Sequence, residues 1–195
     1  MSQTLTVQTF GDFQSELVDG REYLTIVFSP SSVPLRERWR THRLSATFLA
    51  DYFSTFFPGD GQPAGMSDPK SELMSIITFI ANELLENAMK FSDATRGEAV
   101  MLTVQLFPNT LVLLTKNHVN AQTAQTFKAF IQKLLDSDPM ELYVQQVEHI
   151  AADPACMSSG LGILTIVNDY GAQVGWQFEA HAEGAIVTTK IQLAI

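Results

Sequence analysis

Two hydrophobic periods divide the chain. From Tyr23 to Phe28 apolar residues fall on alternate positions, with Leu24, Ile26 and Phe28 on one side, which predicts a strand. A helical period follows over Leu35–Phe57, with Pro34 near its start and Pro58-Gly59 at its end. Ser71–Ser92 predicts a second long helix, whose Ile76, Ile77, Ile80, Leu84 and Ala88 form one apolar stripe. Val100, Leu102, Val104 and Leu106 alternate strictly, Pro108-Asn109 turns the chain, and Thr110–Thr115 returns as the partner strand. Ala121–Leu135 and Met140–Ile150 read as helices and Ala151–Ser159 as a mobile loop. Gly160–Tyr170 reads as a short helix stopped by Gly171. A last hairpin has Val174, Trp176 and Phe178 on one strand, a turn at Glu183-Gly184, and Val187, Thr189, Ile191 and Leu193 on the other. Met1–Gly20 fits neither period and is expected to be an extension, a short helix that packs on the domain or mediates pairing. Pro58–Gly65 reads as a loop rather than a domain boundary.

Hairpins imply antiparallel pairing, and helices grouped between them imply a two-layer α+β sandwich. The expected architecture is a mostly antiparallel, mixed sheet covered on one face by helices. At 195 residues a single domain spanning 1–195 is expected. Composition agrees, because 46% hydrophobic and 17% charged residues is too apolar for disorder and too mixed for a membrane protein. The formal net charge of −9 argues against nucleic acid, whose phosphates need a basic stripe, and against an anionic membrane surface. Cys156 is the single cysteine, so no internal disulfide forms and its thiol is expected to be reduced and unreactive. The N-terminus lacks the basic start and apolar core of a signal peptide, and runs such as Leu111–Leu114 are too short to cross a bilayer. A cytoplasmic protein is expected.

The candidate chemistry lies in Asn82-Glu83-Leu84-Leu85-Glu86-Asn87-Ala88-Met89-Lys90. Glu83, Asn87 and Lys90 stand at i, i+4 and i+7, on one helical face at the edge of the apolar stripe. The acid can orient or deprotonate a nucleophile, the amide oxygen can ligate Mg²⁺, and the amine can neutralise phosphate. A plainer reading is a surface helix with a Glu86–Lys90 pair worth about 0.2–0.5 kcal/mol. Ser158-Ser159-Gly160-Leu161-Gly162-Ile163 opens a helix with two glycines, which lets backbone N–H groups face an anion. A Ser-Gly helix cap serves structure equally well.

Together, and in this order, the two segments resemble motifs of the histidine-kinase-like (GHKL) ATPases. Glu83–Lys90 resembles the N box and Gly160-Leu161-Gly162-Ile163 the second glycine box that follows the nucleotide lid. The resemblance covers about Leu35 to the C-terminus and implies a Bergerat-type nucleotide domain. By that resemblance Glu83 is the catalytic or orienting acid, Asn87 holds Mg²⁺, and Lys90 touches phosphate. Ser159, Gly160, Leu161 and Gly162 bracket the phosphates of ATP or ADP, and Ser137–Ser159 closes as a lid. More narrowly, the chain resembles the SiaB-like stand-alone kinases, which implies a serine on a small SiaC-like regulatory protein as acceptor.

The first glycine box departs from the family. An Asp-x-Gly-x-Gly motif is replaced by Thr115-Lys116-Asn117-His118-Val119-Asn120. The family's aspartate accepts from the adenine amine through a charge-assisted bond worth about 1.5–3 kcal/mol, against roughly 1 for a neutral bond. Asn117 in its place weakens ATP by up to about thirtyfold at 1.4 kcal/mol per tenfold. An amide also offers a donor beside an acceptor, which suits a mixed ring edge such as a flavin or a pyrimidine. His118 stands in the same segment as a candidate ligand contact. Three readings follow: a protein serine kinase or nucleotide-dependent switch in bacterial signalling, a non-catalytic flavin-binding sensor, and an interaction module with a degenerate pocket.

Arg36, Arg40 and Arg43, with Arg38 and His42 nearby, make a local basic face, either plainly solvated or a docking surface for an acidic partner or a second copy. His42, His118, His149 and His181 show no metal-ligand spacing in sequence. No phospho-acceptor histidine helix precedes the ATPase-like region, and no Walker loop or nucleophile elbow is present. Trp176 and Phe178 are expected in the core.

Overall fold

Alternation and helical periodicity become eleven elements in the computed structural model, which describes residues 6–14, 22–29, 39–57, 69–93, 95–152, 160–181 and 183–195. In chain order these are β1 (Val7–Gly11), β2 (Glu22–Phe28), α1 (Trp39–Ser54), α2 (Pro69–Phe91), β3 (Val100–Phe107), β4 (Thr110–Asn120), α3 (Ala121–Asp136), α4 (Pro139–Ala152), α5 (Leu161–Tyr170), β5 (Gln173–His181) and β6 (Gly184–Ala194). The six strands form one sheet in the order β1-β5-β6-β4-β3-β2, and every pairing is antiparallel. The helices pack on one face of it, which makes the two-layer α+β sandwich the alternating strands imply.

Register decides which side chains meet the helices. Leu102 pairs with Thr115, Asn117 with Val187, and Trp176 with Thr189, so these positions share the inner face. Lys116 and Glu179 lie on the outer face, where they form an ion pair at 3.3 Å. On the helix side Leu102, Trp176, Ile80 and Leu84 are almost fully buried, and Phe127 of α3 meets Trp176 and Phe178 edge-on at 6.3 and 5.9 Å. Each such large apolar side chain contributes roughly 1.5–3 kcal/mol when removed from water. Trp176 and Phe178 thus sit in the core as expected, while Tyr23 and Val27 on the outer face are 66% and 51% exposed. Among the described residues no helix is long and apolar enough to cross a membrane.

Three expectations change. Residues 7–11 form an edge strand against β5 rather than a helix, with Phe10 meeting Phe178 edge-on at 5.7 Å. β4 continues past Thr115 to Asn120, so the altered glycine-box segment is strand. The first half of the expected lid is the docked helix α4. Its N–H groups at Met140 and Glu141 donate to Asp138 Oδ1 at 2.9 and 3.0 Å, Leu142 is buried, and Asn168 of α5 donates to Pro139 O at 3.1 Å. The rest of that segment, with Cys156 and Ser159, lies outside the described residues. So do Pro34, Arg36, Arg38, the Pro58–Gly65 loop and the side chains of Arg40 and His42, whereas Arg43 is exposed on α1.

Candidate functional site

α2 must place its apolar stripe against the sheet, and that requirement aims its polar edge along the inner layer. There the helices and strands enclose a cavity of about 370 Å³. Thr115, Asn117 and Val119 of β4, with Val187 and Thr189 of β6, line its sheet side. α2 contributes Glu83, Glu86, Asn87, Lys90 and Phe91, and α5 contributes Gly160, Gly162 and Ile163 at its N-terminal end. The volume falls in the range of small-ligand sites. The predicted trio of Glu83, Asn87 and Lys90 therefore meets Gly160, Gly162 and Asn117 around one cavity.

The two motifs touch. A Cβ built on Gly162 would run into Glu83 Oε2 and lie 2.7 Å from Glu83 Cδ. A side chain at 162 would displace the Glu83 carboxyl group from its place beside the first turn of α5. The half-buried Glu83 carboxyl is pushed above its ordinary pKa, first by loss of hydration and then by the neighbouring Glu86 charge. Such a carboxyl is a better proton acceptor than an exposed one.

Gly160 caps α5 with φ +56°, the left-handed region, and a Cβ there would stand 3.0 and 3.2 Å from the Phe130 ring. Both constraints select glycine. Gly160→Ala is expected to lower stability by about 1–2 kcal/mol, read as a drop in the urea midpoint; an unchanged midpoint would contradict the strain argument. Gly160 has no side chain to cap α5, and among the described residues no side chain caps its first N–H groups, which carry the positive end of the helix dipole.

Asn117 is 6% exposed, and its Nδ2 donates to Ser92 Oγ at 3.3 Å. Ser92 Oγ in turn donates to Ala88 O at 2.6 Å, so at Ser92 the amide must present its nitrogen. That fixes the amide's orientation. Among the described residues its carbonyl oxygen has no hydrogen-bond partner, and one amide proton remains.

His118 does not reach the cavity. β4 alternates, so Thr115, Asn117 and Val119 face inward and His118 faces the outer side of the sheet. There it is 3% exposed, meets His181 edge-on at 5.4 Å, and leaves both ring nitrogens unpaired among the described residues. Each unpaired buried group costs roughly 1–3 kcal/mol. Although the histidines lack metal-ligand spacing in sequence, the fold gathers His118, His181 and Glu98 with one ligand atom of each within 4.8 Å of the others. Leu161 starts α5 but does not line the cavity.

The sequence reading missed the helical walls. Phe127 and Phe130 of α3 stack at 6.5 Å and 20°, and with Thr126, Gln146 and His149 they complete the lining. A Phe pair at i, i+3 is the one available signal, and it also fits an ordinary core stripe.

No protein-family model matches the chain. No curated protein matches it in sequence.

Proposed function

We propose that the cavity binds ATP with Mg²⁺ and that the protein is a GHKL-type serine kinase or nucleotide switch acting on a small regulatory protein. The observation that carries this reading is the contact between the two motifs, with Gly162 left bare where the Glu83 carboxyl sits. Packing alone does not call for an acid, an amide and an amine facing a glycine-opened helix end. The aromatic walls suit a planar base, and the Asn117 carbonyl oxygen suits an exocyclic amine.

In this reading the chain's own residues do the following. Asn117 accepts from the base, Lys90 and the N–H groups at the start of α5 bind phosphate oxygens, and Asn87 offers an oxygen to the metal. Bound Mg²⁺ supplies charge neutralisation on the phosphates. Glu83 takes the proton of the acceptor serine as its oxygen bonds to the γ-phosphorus, and the bond to ADP breaks. Catalysis is then positioning and electrostatics. Incubating the protein with Mg-ATP and candidate partner proteins, then mapping phosphoserine by mass spectrometry, tests the kinase reading; a nucleotide-bound protein that phosphorylates none of them acts only as a switch.

Flavin is the second candidate ligand, because the phenylalanine walls suit any planar ring and Asn117 retains one donor beside its acceptor. Asn117→Asp separates the two. It is expected to tighten adenine nucleotides by up to about thirtyfold, since a charged acceptor replaces a neutral one. It should also lower the thermal midpoint of the unliganded protein, because position 117 is 6% exposed and a buried carboxylate is costly. Weaker adenine binding in calorimetry would refute the assignment of Asn117 to the base.

A further inference from the structure

We propose that Glu98, His118 and His181 form a binding site for one first-row divalent transition-metal cation of the Zn²⁺ type, on the outer face of the sheet. The site is independent of the nucleotide cavity, which lies on the other face.

The first support is His118 itself. Its ring is 3% exposed, and neither nitrogen has a hydrogen-bond partner among the described residues. Buried polar side chains are almost always paired, and a neutral imidazole holds a lone pair that a cation can take. The second support is the company it keeps. The His181 ring packs edge-on against it at 5.4 Å, and His181 Nδ1 stands 3.7 Å from Glu98 Oε1. One donor atom from each of the three residues lies within 4.8 Å of the other two.

Two imidazoles and a carboxylate are the ligand chemistry of zinc and its first-row neighbours, whereas Mg²⁺ and Ca²⁺ prefer oxygen alone. A tetrahedral site with bonds near 2.0–2.1 Å puts its ligand atoms about 3.3 Å apart, so the three groups must close on the ion. The side chains of His181 and Glu98 are 42% and 35% exposed and can rotate to do so. His118, buried, is the fixed ligand. Three protein ligands leave a fourth position for water.

The fold builds this arrangement through a glycine. His118 is on β4 and His181 on β5, with β6 between them, and His181 pairs with Gly184 in the sheet. A Cβ on Gly184 would run into the Val119 carbonyl oxygen of β4 and would also lie 3.2 Å from His118 Cε1, so the glycine the close β4–β6 approach requires also leaves space beside the His118 ring. Glu98 arrives from the segment after α2, which is tied to the same place by Asp93 N–H donating to His118 O at 2.9 Å and by the Arg96–Glu183 ion pair at 3.2 Å. A bound ion would clamp this segment to the β5–β6 hairpin, one residue along β4 from Asn117.

Calorimetric titration of Zn²⁺ into the chelator-treated full chain, free of any purification tag, tests the proposal. One equivalent is expected to bind. His181→Ala and Glu98→Gln, both at part-exposed positions, should each weaken it by roughly tenfold or more. His149→Ala, in the opposite cavity, should leave Zn²⁺ affinity unchanged. The absence of a one-equivalent Zn²⁺ site, or Zn²⁺ binding that survives both His181→Ala and Glu98→Gln, would overturn it.

Discussion

Glu83→Gln is expected to stop phosphoryl transfer while making the protein more stable. Glutamine keeps the shape that fits against Gly162 but cannot take a proton, and loss of a general base costs about 10²–10⁴ in rate. The stability gain follows from burial. The Glu83 carboxyl has a folded pKa above its ordinary 4.5, so over the interval between the two the native state holds a proton that the unfolded chain has released. The stability this group provides is complete below the ordinary value and is lost as pH rises through the raised one. At pH values above the raised pKa the wild type carries a half-buried charge that the variant lacks. The gain should be no more than about 3 °C in thermal midpoint, and it should vanish below pH 4. A variant that loses activity and also melts earlier at neutral pH would mean Glu83 is a structural acid.

Asn87→Ala should abolish the Mg²⁺ dependence of nucleotide binding and reduce phosphoryl transfer by at least roughly a hundredfold. The side chain lines the cavity one helical turn from Glu83, and the transition-state stabilisation a metal supplies is several kcal/mol. Stability should hold or rise slightly, because alanine is the better helix former at a part-exposed position. Measuring nucleotide affinity with and without Mg²⁺ for both proteins isolates the effect. An unchanged Mg²⁺ dependence removes Asn87 from the metal's ligands.

Most of the fold was legible because each inner-facing strand presents a clean alternation and each helix a continuous stripe. β3 shows it best, with Val100, Leu102, Val104 and Leu106 all buried. β1 was not legible. It is five residues long at a sheet edge, its inward positions are Gln8 and Phe10, and its other apolar residue, Val7, is 49% exposed, so no period stands out. α2's trio was legible from helical spacing alone. His118 was misplaced because the strand was expected to end at Thr115; extending it to Asn120 applies the two-residue period and sends His118 to the face opposite Asn117. The Glu98–His118–His181 cluster has no local signature. It depends on the register of three strands and on a glycine between two of them. The contact of Gly162 with Glu83 likewise depends on how α5 lies beside α2, which no single segment encodes.

The most direct test of the nucleotide assignment is calorimetric titration of ADP and ATP into the purified protein, with and without Mg²⁺. One site per chain is expected, tighter with Mg²⁺, weaker in Lys90→Ala, and selective for adenine over guanine. No adenine nucleotide binding at millimolar concentration, together with a flavin released on denaturation, would contradict it.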